Sequence, residues 1–212
     1  FDDALAHFVR IARILRTPRC SALLVGVGGS GRQSLTRLAA YVNGCTTAQV
    51  TITKSYNVTN LLEDFKPLYL QAGVKNKGVA FIFTDKEIKD EGFLEYINIF
   101  LNTGELPNLF ARDEVDAILG EVGLAFEQQM PKGTEPTAAN LWAFFLNRVR
   151  SHLHLVLCFS PVGDKFRNRA RMFPGLINGC TVDWYLPWPQ VALEEVAQSM
   201  IGRFEIDVGP EV

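Results

Sequence analysis

The segment Gly26-Val-Gly-Gly-Ser-Gly-Arg-Gln-Ser34 places four glycines within six positions, between the apolar run Ala22–Val25 and a helically patterned stretch. A buried strand, a glycine loop and a helix N-terminus in that order converge several backbone N–H groups on one point, a site for an anion. Gly26 and Gly31 have the spacing of the phosphate loop G-x-x-x-x-G-K-[ST] (Walker A), but Arg32 and Gln33 stand where Lys and Ser/Thr belong. Arg32 keeps the positive charge on a longer, forked side chain that does not reproduce a compact ammonium. Gln33 replaces the hydroxyl that contacts Mg²⁺ and offers at best a weak amide ligand. Ser34 comes one residue late, rotated by about 100° around the helix. The residues Gly26, Val27, Gly28, Gly29, Ser30, Gly31, Arg32, Gln33 and Ser34 therefore read as a cradle that holds ATP or ADP without turning it over.

A second apolar strand, Phe81-Ile-Phe-Thr-Asp85, supplies the carboxylate that a nucleotide triphosphatase uses on the Mg²⁺ side, through water. Hydrolysis would also need a water-polarising Glu after Asp85, where this chain has Lys86. Glu87 can substitute only if the backbone bulges. The loop also satisfies G-x-G-x-x-G, the dinucleotide fingerprint, which asks for an acidic residue at the end of the second strand. Residues 46–56 contain none, and Lys54 is the only group there suited to a cofactor phosphate. Ser160, after the strand ending at Phe159, has the position of a polar sensor in ring-forming ATPases, or is a plain Ser-Pro turn. Arg167, Arg169 and Arg171 share one helix. Arg167 and Arg171 face one way and Arg169 points away by about 200°; one of them can serve a neighbouring module in trans, or all can form a solvated basic face. His7, His152 and His154 read as structural, with His152 and His154 on one strand face. Trp142, Trp184 and Trp188 read as core or corner packing.

The elements that must position these groups alternate. Helices are expected over residues 2–16, 33–42, 93–101, 141–149, 163–172 and 191–201, with one or two more across 111–129. Strands are expected at 22–25, 50–53, 78–84, 152–159 and 181–185. Asn60 and Glu63 have the spacing of a capping box, ahead of a helix kinked near Pro67. Residues 102–108 and 131–136 carry turn chemistry, and Pro187-Trp-Pro189 is a rigid corner. Strands alternating with helices imply a parallel α/β sheet with right-handed crossovers.

Composition sets limits on function. The 212 residues suffice for one α/β domain and a fragment of a second, with 48% hydrophobic and 21% charged residues. A net charge of −2 gives no support to nucleic-acid binding. Cys20, Cys45, Cys158 and Cys180 are far apart, which disfavours a disulfide framework or zinc site and fits a reducing compartment. No apolar stretch approaches the roughly 18 residues of a membrane span, and Phe1-Asp-Asp opens an amphipathic helix rather than a signal peptide. The ending Gly209-Pro-Glu-Val has no closing element, so the chain is expected to be a piece of something longer.

Five blocks together resemble the fourth AAA+ module of dynein heavy chains, in a spelling closer to the axonemal than the cytoplasmic type. They are Gly26–Ala39, Phe83-Thr-Asp85, Glu91-Gly-Phe-Leu94, Asn102–Phe110 and Phe166–Pro174. The resemblance implies a P-loop NTPase fold of AAA+ type, a five-stranded parallel sheet flanked by helices. It implies a large α/β subdomain over 1–189 and the start of a small helical subdomain over 190–212. It also implies ATP or ADP with Mg²⁺, and a regulatory rather than main catalytic role in a six-module ring. Asp85, Glu87 and Ser160 become the candidate catalytic positions and Arg167–Arg171 the arginine-finger region. The implied partners are neighbouring AAA+ modules of the same chain, the microtubule through a stalk outside the fragment, and other axonemal dynein chains, in the cytoplasm, cytoskeleton and cilium axoneme. A structural ring module with an empty site remains the alternative, and a dinucleotide-dependent oxidoreductase the remote one.

Overall fold

Two strands, Val79–Thr84 and Leu153–Phe159, are buried at every residue, as continuous apolar runs must be when a sheet is covered on both faces. The computed structural model describes residues 2–131 and 133–202. Its elements are α1 (Asp2–Arg16), β1 (Ala22–Val25), α2 (Arg32–Val42), β2 (Thr46–Ala48), α3 (Val58–Tyr69), β3 (Val79–Thr84), α4 (Gly92–Thr103) and α5 (Arg112–Gln129). There follow α6 (Ala138–His152), β4 (Leu153–Phe159), α7 (Asp164–Met172), α8 (Gly175–Asn178), β5 (Thr181–Trp184) and α9 (Gln190–Ile201). All strand pairs are parallel, in the order β2-β3-β4-β1-β5.

Alternate residues of each strand feed two cores. Leu23, Val25, Phe81, Phe83, Leu155, Leu157 and Phe159 face α3 to α6, while Leu24, Ala80, Ile82, Val156 and Cys158 face α1 and α2. β1 sits between β4 and β5, so the loop leaving β1 emerges at the carboxyl edge beside the ends of β4 and, one strand further, β3. Ligands of open α/β sheets bind at that edge.

Several elements differ from their sequence expectation. The edge strand is Thr46–Ala48, not 50–53, because Thr46, Thr47 and Ala48 pair with Val79, Ala80 and Phe81 immediately after the Gly44 turn. Val50 then drops into the core off the sheet. The capping box is formed by Asn57 and Asn60, whose side chains accept each other's backbone N–H at 3.2 and 3.1 Å, and not by Asn60 and Glu63. Glu63 instead pairs with Lys66 inside the helix. Past Pro67, which lacks an N–H, the helix slips into a π-turn over Leu70–Val74, closed by Lys75 N–H to Leu70 O. Residues 112–129 form one helix, and α8 had no sequence signal. His152 ends α6, where Nδ1 lies 3.0 Å from Arg148 O, so it does not share a strand face with His154.

Candidate nucleotide site

The loop between β1 and α2 is built around close backbone approach. Gly26 donates its N–H to Phe159 O at 3.0 Å, and a Cβ there would fall 2.6 Å from Tyr185 Cβ. Only glycine fits. Gly31, at φ +84°, ends the loop in the left-handed conformation and serves as the side-chain-free cap of α2. Gly29 is left-handed too, at φ +80°. The first turn of α2 therefore points the N–H groups of Arg32, Gln33 and Ser34 at the loop, with no acceptor for them among the described residues.

Ser30 is buried, and its hydroxyl has no hydrogen-bond partner among the described residues. A buried polar atom of this kind is costly unless a ligand meets it. Together with the open N–H groups it fits a phosphate. Trp188 closes over the loop: Nε1 donates to Ser30 O at 3.4 Å, and the ring lies 3.6 Å from where a Gly31 Cβ would stand. The Trp-Pro corner is thus part of the loop's wall, which its sequence gave no reason to expect.

Arg32 does not extend into the loop. Its guanidinium donates to Phe159 O at 2.6 Å, Val27 O at 3.1 Å and Leu24 O at 3.4 Å, strapping the loop to the ends of β1 and β4. Gln33 is half-buried and Ser34 exposed; neither side chain makes a hydrogen bond among the described residues.

Asp85 follows directly on β3, with both carboxylate oxygens engaged. Ser160 N–H donates to Oδ2 at 2.5 Å, and Arg169 Nη1 donates to Oδ1 at 3.1 Å. Arg169 is buried and also grips Glu91, with Nη2 at 2.7 Å and Nε at 3.1 Å from Oε1. The expected split of the three arginines, with Arg169 facing away from Arg167 and Arg171, is the one seen. Arg169 is spent within its own chain, while Arg167 and Arg171 are exposed. The signal was present in the two-residue spacing, since a helix turns the middle arginine inward when its neighbours face out.

Glu87 is buried and turned back. Oε2 accepts the N–H and hydroxyl of Thr84, and Oε1 accepts Gln49 Nε2 at 2.9 Å. Both Glu87 oxygens are thus committed to Thr84 and Gln49. Lys86 beside it is exposed. Ser160 Oγ accepts Val162 N–H at 3.3 Å, a Ser turn that sets its own N–H on Asp85.

Among the described residues no three His, Cys, Asp or Glu side chains gather where a metal could be held. Nucleotide-bound Mg²⁺ needs only one or two protein ligands beside phosphates and water. As placed, Asp85 is held by Ser160 N–H and Arg169 and Gln33 is a neutral amide, so these candidate ligands do not fit it, whereas the loop fits phosphate. Behind the loop, burial pushes the Cys158 thiol up to about 12, making it inert. Burial also raises the Tyr185 phenol, with the Asp183 charge adding to it. Tyr185 stacks on His7 at 3.8 Å, and Asp183 accepts His7 and Arg10 at 2.7 Å each, tying α1 to β5 behind the loop.

The family described as P-loop containing dynein motor region D4 matches residues 1–211. The chain is 55% identical over all 212 residues to dynein axonemal heavy chain 5 of Rattus norvegicus. It is 52% identical over all 212 to dynein axonemal heavy chain 8 of Homo sapiens, and 52% to the dynein gamma chain of the flagellar outer arm of Chlamydomonas reinhardtii. It spans 6% of the first of these relatives and 5% of each of the other two.

Proposed function

Because the chain belongs to the family of P-loop containing dynein motor regions D4, in its axonemal branch, we propose that it is a nucleotide-holding regulatory AAA+ module of a ciliary motor. The observation that carries this reading is the glycine loop, with its open N–H groups and the unpartnered Ser30 hydroxyl buried within it. ATP or ADP supplies the phosphate. The module turns nucleotide over slowly or not at all, since Glu87 is folded onto Thr84 and Lys86 occupies the position of the water-polarising acid.

Residues 1–189 form the large subdomain and α9 opens a small helical one assigned to 190–212, of which 203–212 lie outside the described residues. The exposed Val191, Leu193 and Ile201 of α9 support an apolar neighbour there. Exposed Arg167 and Arg171 are the groups that reach a neighbouring module of the same chain. The longer protein works in the cytoskeleton of the cilium axoneme, meeting the microtubule through a stalk outside this segment and other axonemal dynein chains.

A second reading, a structural module with an empty site, is favoured by Arg32 binding carbonyls rather than reaching into the loop. Calorimetric titration with ADP, ATP and NADPH separates them. Saturable adenine-nucleotide binding that Gly31→Asp abolishes is expected. Absence of binding selects the structural reading, and preference for NADPH refutes the nucleotide-triphosphate cradle.

A further inference from the structure

Asp85 follows β3 at the carboxyl edge of the sheet, and both of its carboxylate oxygens are occupied. Arg169 holds Oδ1 and Ser160 N–H holds Oδ2. Arg169 is buried, with its side chain 9% exposed. Glu91 grips it by Nε and Nη2 on the far side, fixing its plane. A guanidinium does not lose its proton, so this charge is permanent. A divalent cation approaching Asp85 would have to displace the Arg169 guanidinium from Oδ1 and the Ser160 N–H from Oδ2.

We infer that Arg169 takes the place of the divalent cation at Asp85, so that the loop binds nucleotide phosphates without Mg²⁺. The inference rests on the proposed nucleotide-holding function. It also gives α7 a second task. For a metal to reach Asp85, Arg169 must withdraw, and the helix that carries it also carries Arg167 and Arg171.

The test is calorimetric titration of the 212-residue chain with ADP, in Mg²⁺ and in EDTA, for wild type, Arg169→Met and Asp85→Asn, with circular dichroism confirming the fold. The wild-type affinity should agree within about threefold between the two buffers, while Arg169→Met should bind about tenfold or more tightly with Mg²⁺. Asp85→Asn keeps the acceptor for Ser160 N–H and should stay indifferent to metal; it decides the matter if Arg169→Met does not fold. A wild-type chain that needs Mg²⁺, and loses that need in Asp85→Asn, would overturn the inference while leaving nucleotide binding intact. So would an Arg169→Met chain that remains metal-independent. No ADP binding in either buffer would overturn the inference together with the function it rests on.

Discussion

Replacing Arg32 by alanine separates two roles that a phosphate-loop cation can have. A phosphate ligand removed from the site costs affinity and little stability. A strap removed from the loop costs stability first. The side chain makes two good hydrogen bonds, to Phe159 O at 2.6 Å and Val27 O at 3.1 Å, and a long one to Leu24 O at 3.4 Å. Charge-assisted bonds contribute about 1.5–3 kcal/mol each. Here the lower end applies, because neither carbonyl is orphaned: Phe159 O still accepts Gly26 N–H, and Val27 O still accepts Ser30 N–H. The expected loss for Arg32→Ala is therefore about 2–3 kcal/mol, a fall in Tm of about 4–12 °C for a domain of this size. Arg32→Lys, with one ammonium in place of a fork, should recover less than half. Thermal unfolding and ADP calorimetry on the same preparations read both quantities. An unchanged Tm with a tenfold or greater loss of ADP affinity would refute the strap and return Arg32 to the phosphate.

Two further outcomes follow from the packing. Burial holds the His154 imidazole below its ordinary 6.5, with the His152 charge adding to the shift and the bond to Cys20 O opposing it. The unfolded chain then takes up a proton that the folded chain resists, so His154 should make stability fall as pH drops below 6.5. In urea titrations His154→Gln should flatten that slope, and an unaltered slope would remove His154 as its source. At Gly73 a Cβ would lie 2.2 Å from Phe145 Cε2 and 2.8 Å from Val149 Cγ2, both in fully buried side chains. Gly73→Ala should cost about 1–3 kcal/mol through overpacking of the π-turn against α6, seen as a lower denaturant midpoint. An unshifted midpoint would mean that α6 moves away freely.

Much of the architecture was legible because its signals are local. Ala22–Val25 and 78–84 are apolar runs too short for helices, and each appears as a strand within one residue. The edge strand was misplaced because 50–53 has the higher β-propensity, whereas pairing depends on what lies across the ladder, here Val79–Phe81. The cap at Asn57 was missed because a Glu three residues on is the usual partner, and here Asn60 serves instead. His152 looked like strand because α6 passes into β4 without a break.

The sequence by itself determined the cradle. Glycine spacing, a strand before and a helix after are properties of contiguous residues, and backbone sterics leave them few arrangements. It also determined that Lys86 does not supply the usual acid. Only the tertiary structure decided what the charges do. Arg32 turned onto carbonyls, Glu87 onto Thr84, and Arg169 onto Asp85 across 84 residues of chain. A buried guanidinium or carboxylate must find partners wherever the fold brings them, and that choice depends on which strand ends and helices meet at the sheet's carboxyl edge.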